Sequence, residues 1–231
     1  MHSSNSEIEC TLIVAAAGQG KRMGLSFPKQ FLKYKDKPLF INVLEVGEKS
    51  NLVKNIIVVT KEDLIDEVSN LCEMYKLKKV KAIIKGGKER QESIYNALKY
   101  CSKDSIIAIQ DGVRPFFKEE YLEKTIRELK NNQKLSGAII GVPVKDTVKQ
   151  LKKDKLIERT PERSTLYLAQ TPQVFRGRIL KEAYEKALND NFLGTDDSSL
   201  VEKYYGNVKI IEGDYSNIKI TTIEDLRFLE L

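Results

Sequence analysis

The sequence predicts an α/β protein built on a mostly parallel, doubly wound sheet, and three observations predict it. Short β-branched runs, apolar on both faces, alternate with longer stretches of helical spacing up to about residue 140. The first of these runs ends in a glycine-rich turn, where open sheets of this kind take their ligands. The alternation breaks once, between about residues 143 and 172, and then resumes.

Taken in order, TLIVAAA (11–17), NIIVVT (55–60), VKAIIK (80–85), SIIAIQ (105–110) and GAIIGV (137–142) have the composition of central parallel strands. LFINVLEVGEKS, EDLIDEVSNLCEMYK, ERQESIYNALKYC and EEYLEKTIRELKNN fall between them with helical spacing, which makes βαβ units. Residues 143–172 carry three prolines, a charged centre and two short alternating runs. They read as a hairpin leaving the body of the fold as an arm. A helix near 176–190, the stretch DDSSLVEKYY, a strand VKII, a strand NIKIT and a closing helix TIEDLRFLE complete the chain. Thr222 is the expected N-cap of that last helix, supported by Asp225 three residues on. With no linker or repeat, residues 1–231 form a single domain with a protrusion.

With 41% hydrophobic and 31% charged residues, the chain is of the ordinary globular class. No apolar run approaches the roughly 18 residues that cross a bilayer, and MHSSNSEIEC lacks the pattern of a secretory signal. Cys10, Cys72 and Cys101 are odd in number and far apart, which fits reduced thiols in a cytoplasmic protein. The net charge of +6 favours anionic partners. LKKVKAIIKGGK and KQLKKDK read as solvated faces, and without a nucleic-acid motif or basic-aromatic interleaving no nucleic-acid partner is expected. The one histidine, His2, lies at the terminus, so a histidine base or metal ligand from the folded core is excluded.

The unusual residues cluster at strand ends. After the first strand, AAAGQGKRMG is neither a dinucleotide fingerprint nor a Walker loop. A glycine turn with Lys21 and Arg22 suits a polyphosphate all the same, although a tight turn with surface cations would explain the same letters. After the third strand, Gly86 and Gly87 allow backbone to approach a flat ring, and Ser93 can donate to a base or phosphate. A capped strand–helix turn is the alternative there. After the fourth, Asp111 is placed to hold Mg²⁺ against phosphates, with Arg114 three residues on, where a simple turn aspartate would also fit. TPERS, AQTPQ, GTDDSS and GDYSNIKIT add Arg163, Thr171, Thr195 and Lys219.

In this order AAAGQGKRMG…PKQF, GGKERQESI, DGVRPF, PVKDTVK, TPERSTLYLAQTPQVF, TDDSSLVE and GDYSNIKITTIEDL resemble the 2-C-methyl-D-erythritol 4-phosphate cytidylyltransferase family of the non-mevalonate isoprenoid route, from about Thr11 to Leu229. The resemblance implies a Rossmann-like nucleotidyltransferase fold, CTP and Mg²⁺ as ligands, and a homodimer joined through the arms. Arg22 and Lys29 would contact the triphosphate at the reacting centre. Ala16, Ala17, Gly18, Gly20, Gly87, Lys88 and Ser93 would line the nucleotide, and Asp111 would hold the metal. Arg114, Thr147, Arg163, Thr171, Thr195 and Lys219 would bind the sugar phosphate, Thr147 and Arg163 coming from the partner subunit. Two positions depart from the family pattern: Lys88, where some relatives carry Asp, and Gly112, where alanine is common.

The implied reaction is attack of a phosphate oxygen of the acceptor on the α-phosphorus of CTP, with pyrophosphate leaving. A phosphate monoester has its second pKa near 6, so the nucleophile is ionised at neutral pH and needs no base. Bringing two anions together is the difficulty, and cations and backbone N–H groups are the remedy. PKQF, RPF, QTPQ and NIKIT also occur in ribitol 5-phosphate cytidylyltransferases, which remain an alternative, as does a non-catalytic regulator binding nucleotide or sugar phosphate.

Overall fold

The computed structural model describes residues 9–18, 23 and 27–229. β1 (Cys10–Ala15) leads through a short pair, β2 (Lys33–Tyr34) and β3 (Lys37–Pro38), into α1 (Leu39–Lys49). β4 (Val53–Thr60), α2 (Ile65–Met74), β5 (Val80–Lys85), α3 (Arg90–Leu98) and β6 (Ile106–Asp111) follow. α4 (Glu119–Asn131) and β7 (Gly137–Pro143) precede a small hairpin of β8 (Gln150–Leu151) and β9 (Ile157–Arg159). β10 (Tyr167–Arg176), α5 (Gly177–Asn189), α6 (Asp197–Tyr204) and β11 (Val208–Glu212) complete the order, before a 3-10 segment at Ile223–Leu229.

Seven strands form one sheet in the order β11-β7-β10-β6-β1-β4-β5. β1 lies parallel to β4 on one side and to β6 on the other. The chain therefore builds outward from β1 through β4 to β5, then returns to place β6 on β1's free edge. The carboxyl ends of β1 and β6 face this reversal, which opens a crevice in doubly wound sheets.

The sheet is covered on both faces because its central strands carry apolar side chains on both. Successive side chains point to opposite faces, so Leu12, Val14, Ile56 and Val58 pack against Phe40 and Leu44 of α1, Val68 of α2 and Leu122 of α4. Ile13, Ile57, Ile107 and Ile109 pack on the other side against Ile94 of α3, Leu180 of α5 and Leu200 of α6. Burying each such aliphatic side chain contributes about 1.5–3 kcal/mol, which makes the rigid base from which the crevice loops extend.

Three expectations need correction. Residues 167–176, the end of the expected arm and the start of the next helix, form β10, antiparallel to both β6 and β7 inside the sheet. Pro172 argued against a central strand. It sits where the ladder to β7 is interrupted between Ala169 and Gln173, after a cis Thr171–Pro172 bond, so no ladder hydrogen bond is asked of it. NIKIT is not a strand: Ile220 N donates to Val113 O, and the buried Ile220 packs with Leu39 and Val113, so its apolar pattern reflects one local contact. The closing helix is 3-10 rather than α, although the support expected from Asp225 is present: its carboxylate accepts from Thr222 N at 2.9 Å and from Thr221 N at 2.7 Å. The β8–β9 hairpin is exposed along all its strand residues.

Candidate active site

A cleft of about 410 Å³ opens at the carboxyl ends of β1 and β6. Ala16, Ala17 and Gly18 from the turn after β1 line it, as do Gly87, Lys88 and Ser93 from the turn before α3. Lys29 and Asp111 line it too. The sequence thus brought to one cleft every expected nucleotide-side residue that the structure describes. Gly20, Lys21 and Arg22 lie outside the described residues. Lys29 is 8% exposed and opens a 3-10 turn, Lys29–Phe31. The next residue, Gln30, donates from Nε2 to Ala16 O at 2.6 Å, which pins this turn to the tip of β1.

The glycine pair before α3 has a steric reason. A Cβ on Gly86 would lie 2.7 Å from Ala17 Cβ and 2.9 Å from Ser93 Oγ, so the two turns meet through its missing side chain. Ser93 serves the turn itself: its hydroxyl accepts from Gly87 N at 2.9 Å and donates to Glu89 O at 3.0 Å. Lys88 N donates to Glu92 Oε2 at 2.7 Å. Gly112, the departure noted above, has a similar cause. A methyl there would lie 3.1 Å from Ala15 O and 3.2 Å from Ala16 Cβ, so the tips of β1 and β6 stand close in this chain.

A second cleft, of about 120 Å³, adjoins the first and is lined by Arg114, Thr171, Gln173 and Thr195. Arg90, Asp111 and Lys219 line both clefts and form the wall between them. Lys219 Nζ lies 2.9 Å and Arg114 Nε 3.4 Å from Asp111 Oδ2, with Arg90 Nε 3.7 Å from Oδ1. Burial alone would raise the Asp111 pKa, but Lys219, Arg90 and Arg114 outweigh it and hold the carboxyl well below its usual range. The wall is braced from behind. Arg114 Nη1 donates to Asn217 O at 2.6 Å, Asn217 Nδ2 to Thr171 O at 2.9 Å, and Asp111 N to Thr171 Oγ1 at 3.1 Å. These bonds bring the loop carrying Lys219 against the end of β6.

Thr147 and Arg163 line neither cleft; both are exposed, and Arg163 Nη1 donates to Lys145 O at 3.0 Å. The sequence reading missed Arg90, although it lies inside the GGKERQESI motif. Its significance comes from carboxylates brought from β6 and α6, and such long-range pairing leaves no local signal. The Asp196 cap of α6 did have one. An Asp followed three residues on by Ser199 forms the observed capping box, with Ser199 N donating to Asp196 Oδ1 at 2.9 Å.

Among the described residues no group of three or more His, Cys, Asp or Glu could hold a metal ion. Asp111 brings one carboxylate to the cleft, and one carboxylate with substrate phosphates and water is a common way for proteins to bind Mg²⁺. Cys10, Cys72 and Cys101 are free and buried, and burial pushes the Cys10 thiol up to about 12, which removes it as a nucleophile. No helix among the described residues is long and apolar enough to cross a membrane.

A doubly wound sheet whose switch point carries a glycine-turned cleft and a wall of cations around a buried carboxylate has the build of a nucleotidyltransferase. The comparisons specify which kind. The family model for 2-C-methyl-D-erythritol 4-phosphate cytidylyltransferase matches residues 10–231, and the chain belongs to this family. It is 47% identical over 233 residues to the enzyme of that name from Fusobacterium nucleatum, covering all of both chains. The Bacillus licheniformis enzyme is 43% identical over 219 residues, covering 95% of this chain and 93% of that one. Among solved structures, 4-diphosphocytidyl-2C-methyl-D-erythritol synthase from Anaerococcus prevotii superposes with a TM-score of 0.82 at 32% identity, covering 96% of this chain and 97% of that one. The Francisella tularensis 2-C-methyl-D-erythritol 4-phosphate cytidylyltransferase gives 0.80 at 28% identity, covering 96% and 98%.

Proposed function

We propose that this chain transfers the cytidylyl group of CTP to 2-C-methyl-D-erythritol 4-phosphate, giving 4-(cytidine 5'-diphospho)-2-C-methyl-D-erythritol and pyrophosphate for isoprenoid precursor synthesis in the cytoplasm. The observation that carries this reading is the wall of Asp111, Arg90 and Lys219 shared by a larger and a smaller cleft. CTP takes the larger cleft and the sugar phosphate the smaller, so their phosphates meet at one cationic surface.

In the reaction an oxygen of the acceptor phosphate forms a bond to the α-phosphorus as the bond to the pyrophosphate oxygen breaks. The nucleophile is ionised at neutral pH, so no proton needs to be removed. Lys29, with Arg22, faces the charge that grows on the α-phosphoryl group. Ala16, Ala17, Gly18, Gly20, Gly87, Lys88 and Ser93 hold the nucleotide. Arg114, Thr171, Thr195 and Lys219 hold the acceptor. Asp111 is the residue that would hold Mg²⁺, which when bound offsets triphosphate charge.

The hairpin region is the proposed arm of a homodimer, supported by its exposed apolar side chains Val148, Leu151, Leu156 and Ile157. The partner would then supply Thr147 and Arg163 to the acceptor, which accounts for their distance from both clefts of their own chain. The test is pyrophosphate release from CTP with methylerythritol phosphate or ribitol 5-phosphate as acceptor. Turnover with methylerythritol phosphate is expected to exceed that with ribitol 5-phosphate by at least about tenfold, the discrimination available from a few polar contacts. Preference for ribitol 5-phosphate, or binding of CTP without pyrophosphate release, would overturn the proposal.

A further inference from the structure

Behind the wall between the clefts lies a polar chain that the reaction just described does not use. Asp197, the first residue of α6, is fully buried and accepts two hydrogen bonds. Arg90 Nη2 donates to its Oδ2 at 2.6 Å, and the Tyr184 hydroxyl donates to its Oδ1. Tyr184 sits in the core face of α5, where burial, reinforced by the Asp197 charge, pushes the phenol well above its usual pKa. Its hydroxyl therefore keeps its proton and stays a donor. On its other side Arg90 stops 3.7 Å from Asp111 Oδ1, beyond hydrogen-bond distance, while Lys219 and Arg114 both take Oδ2.

This asymmetry has a physical cause. Left to itself, a guanidinium beside a carboxylate closes to a direct, charge-assisted bond. Arg90 would then cover the remaining oxygen of Asp111 and spend its charge on that carboxylate instead of on the anions in the clefts. Asp197 prevents this, because a buried carboxylate deprived of its cation is strongly destabilised. Tyr184 occupies one of its oxygens, which orients the other toward Arg90. We propose that Asp197, fixed by Tyr184, is a positioning residue that holds Arg90 on the wall between the clefts, where Arg90 serves as a further cation for the two anionic reactants as they meet. This inference rests on the reaction proposed above.

The test uses the full chain with Tyr184→Phe, Asp197→Asn and the double substitution, following pyrophosphate release as CTP and methylerythritol phosphate are each varied. Tyr184→Phe preserves the buried ring, so it remains informative if Asp197→Asn fails to fold. The expected kcat falls about tenfold for Tyr184→Phe and about a hundredfold for Asp197→Asn, with both KM values within about threefold of wild type, the pattern of contacts made in the transition state. The double variant should be no slower than Asp197→Asn alone, because Tyr184 acts through Asp197. Variants with lowered melting temperatures but unchanged kcat would overturn the inference, and so would losses that simply add. A wild-type protein that releases no pyrophosphate would instead contradict the reaction itself and take this inference with it, whereas an active wild type with unaffected variants contradicts the inference alone.

Discussion

Replacing Lys29 with alanine removes the described cation that both lines the larger cleft and lies at the tip of β1. Lys29 is nearly buried, and its turn is tied to the tip of β1 by the Gln30 to Ala16 bond of 2.6 Å, so its backbone is fixed before substrate arrives. Losing one preorganised donor to a developing anion raises the barrier by about 2.7–4 kcal/mol. At about 1.36 kcal/mol per decade, kcat should fall a hundred- to a thousandfold. The assay is pyrophosphate release with both substrates saturating, accompanied by a melting curve to establish that the variant is folded. KM for CTP should change by less than about tenfold, because the contact strengthens in the transition state. A folded variant with kcat within about threefold of wild type would remove Lys29 from the mechanism, since a contact worth so little lies far below the range for such donors.

Other outcomes follow from the same geometry. Arg163→Ala should raise KM for methylerythritol phosphate by about tenfold or more, the worth of a charge-assisted bond, while KM for CTP stays unchanged; an effect confined to CTP would contradict the acceptor role. Arg163→Lys should also be impaired if the contact is a two-pronged fork. Because folding lowers the Asp111 pKa, its contribution to stability is fully present above the unfolded value of about 3.9 and is lost as pH falls below it. Urea titrations should therefore show Asp111→Asn less stable than wild type at pH 7, with the gap narrowing in acid; a gap independent of pH would contradict the ion-pair account. Ile157→Asp, at an exposed apolar position of the hairpin, should shift the proposed dimer to monomer in sedimentation. A symmetric interface loses each side chain twice, so at about 1.5–3 kcal/mol per isoleucine the dissociation constant should rise at least a hundredfold. An unchanged sedimentation profile would place the interface elsewhere.

The parallel half of the fold was legible because its strands obey a local rule: a run apolar at every position, such as LIVA or IIAI, is stable when covered on both faces. β10 was not legible. Its proline and polar residues obey no local strand rule, and its place between β6 and β7 comes from pairing to distant segments. NIKIT failed for the opposite reason, since one buried isoleucine can imitate a strand pattern. The nucleotide side of the site could be read from glycine turns and charged residues at strand ends. Arg90 and Asp197 could not, because their pairing bridges 107 residues of sequence and appears only when α3 and α6 are brought together.

The most direct test is a crystal structure with a non-hydrolysable CTP analogue and methylerythritol phosphate bound together. The expected result is the triphosphate in the larger cleft against Lys29, the sugar phosphate in the smaller one, and the α-phosphorus beside the wall of Asp111, Arg90 and Lys219. A triphosphate lying away from Lys29, or both reactants on one side of that wall, would contradict the account.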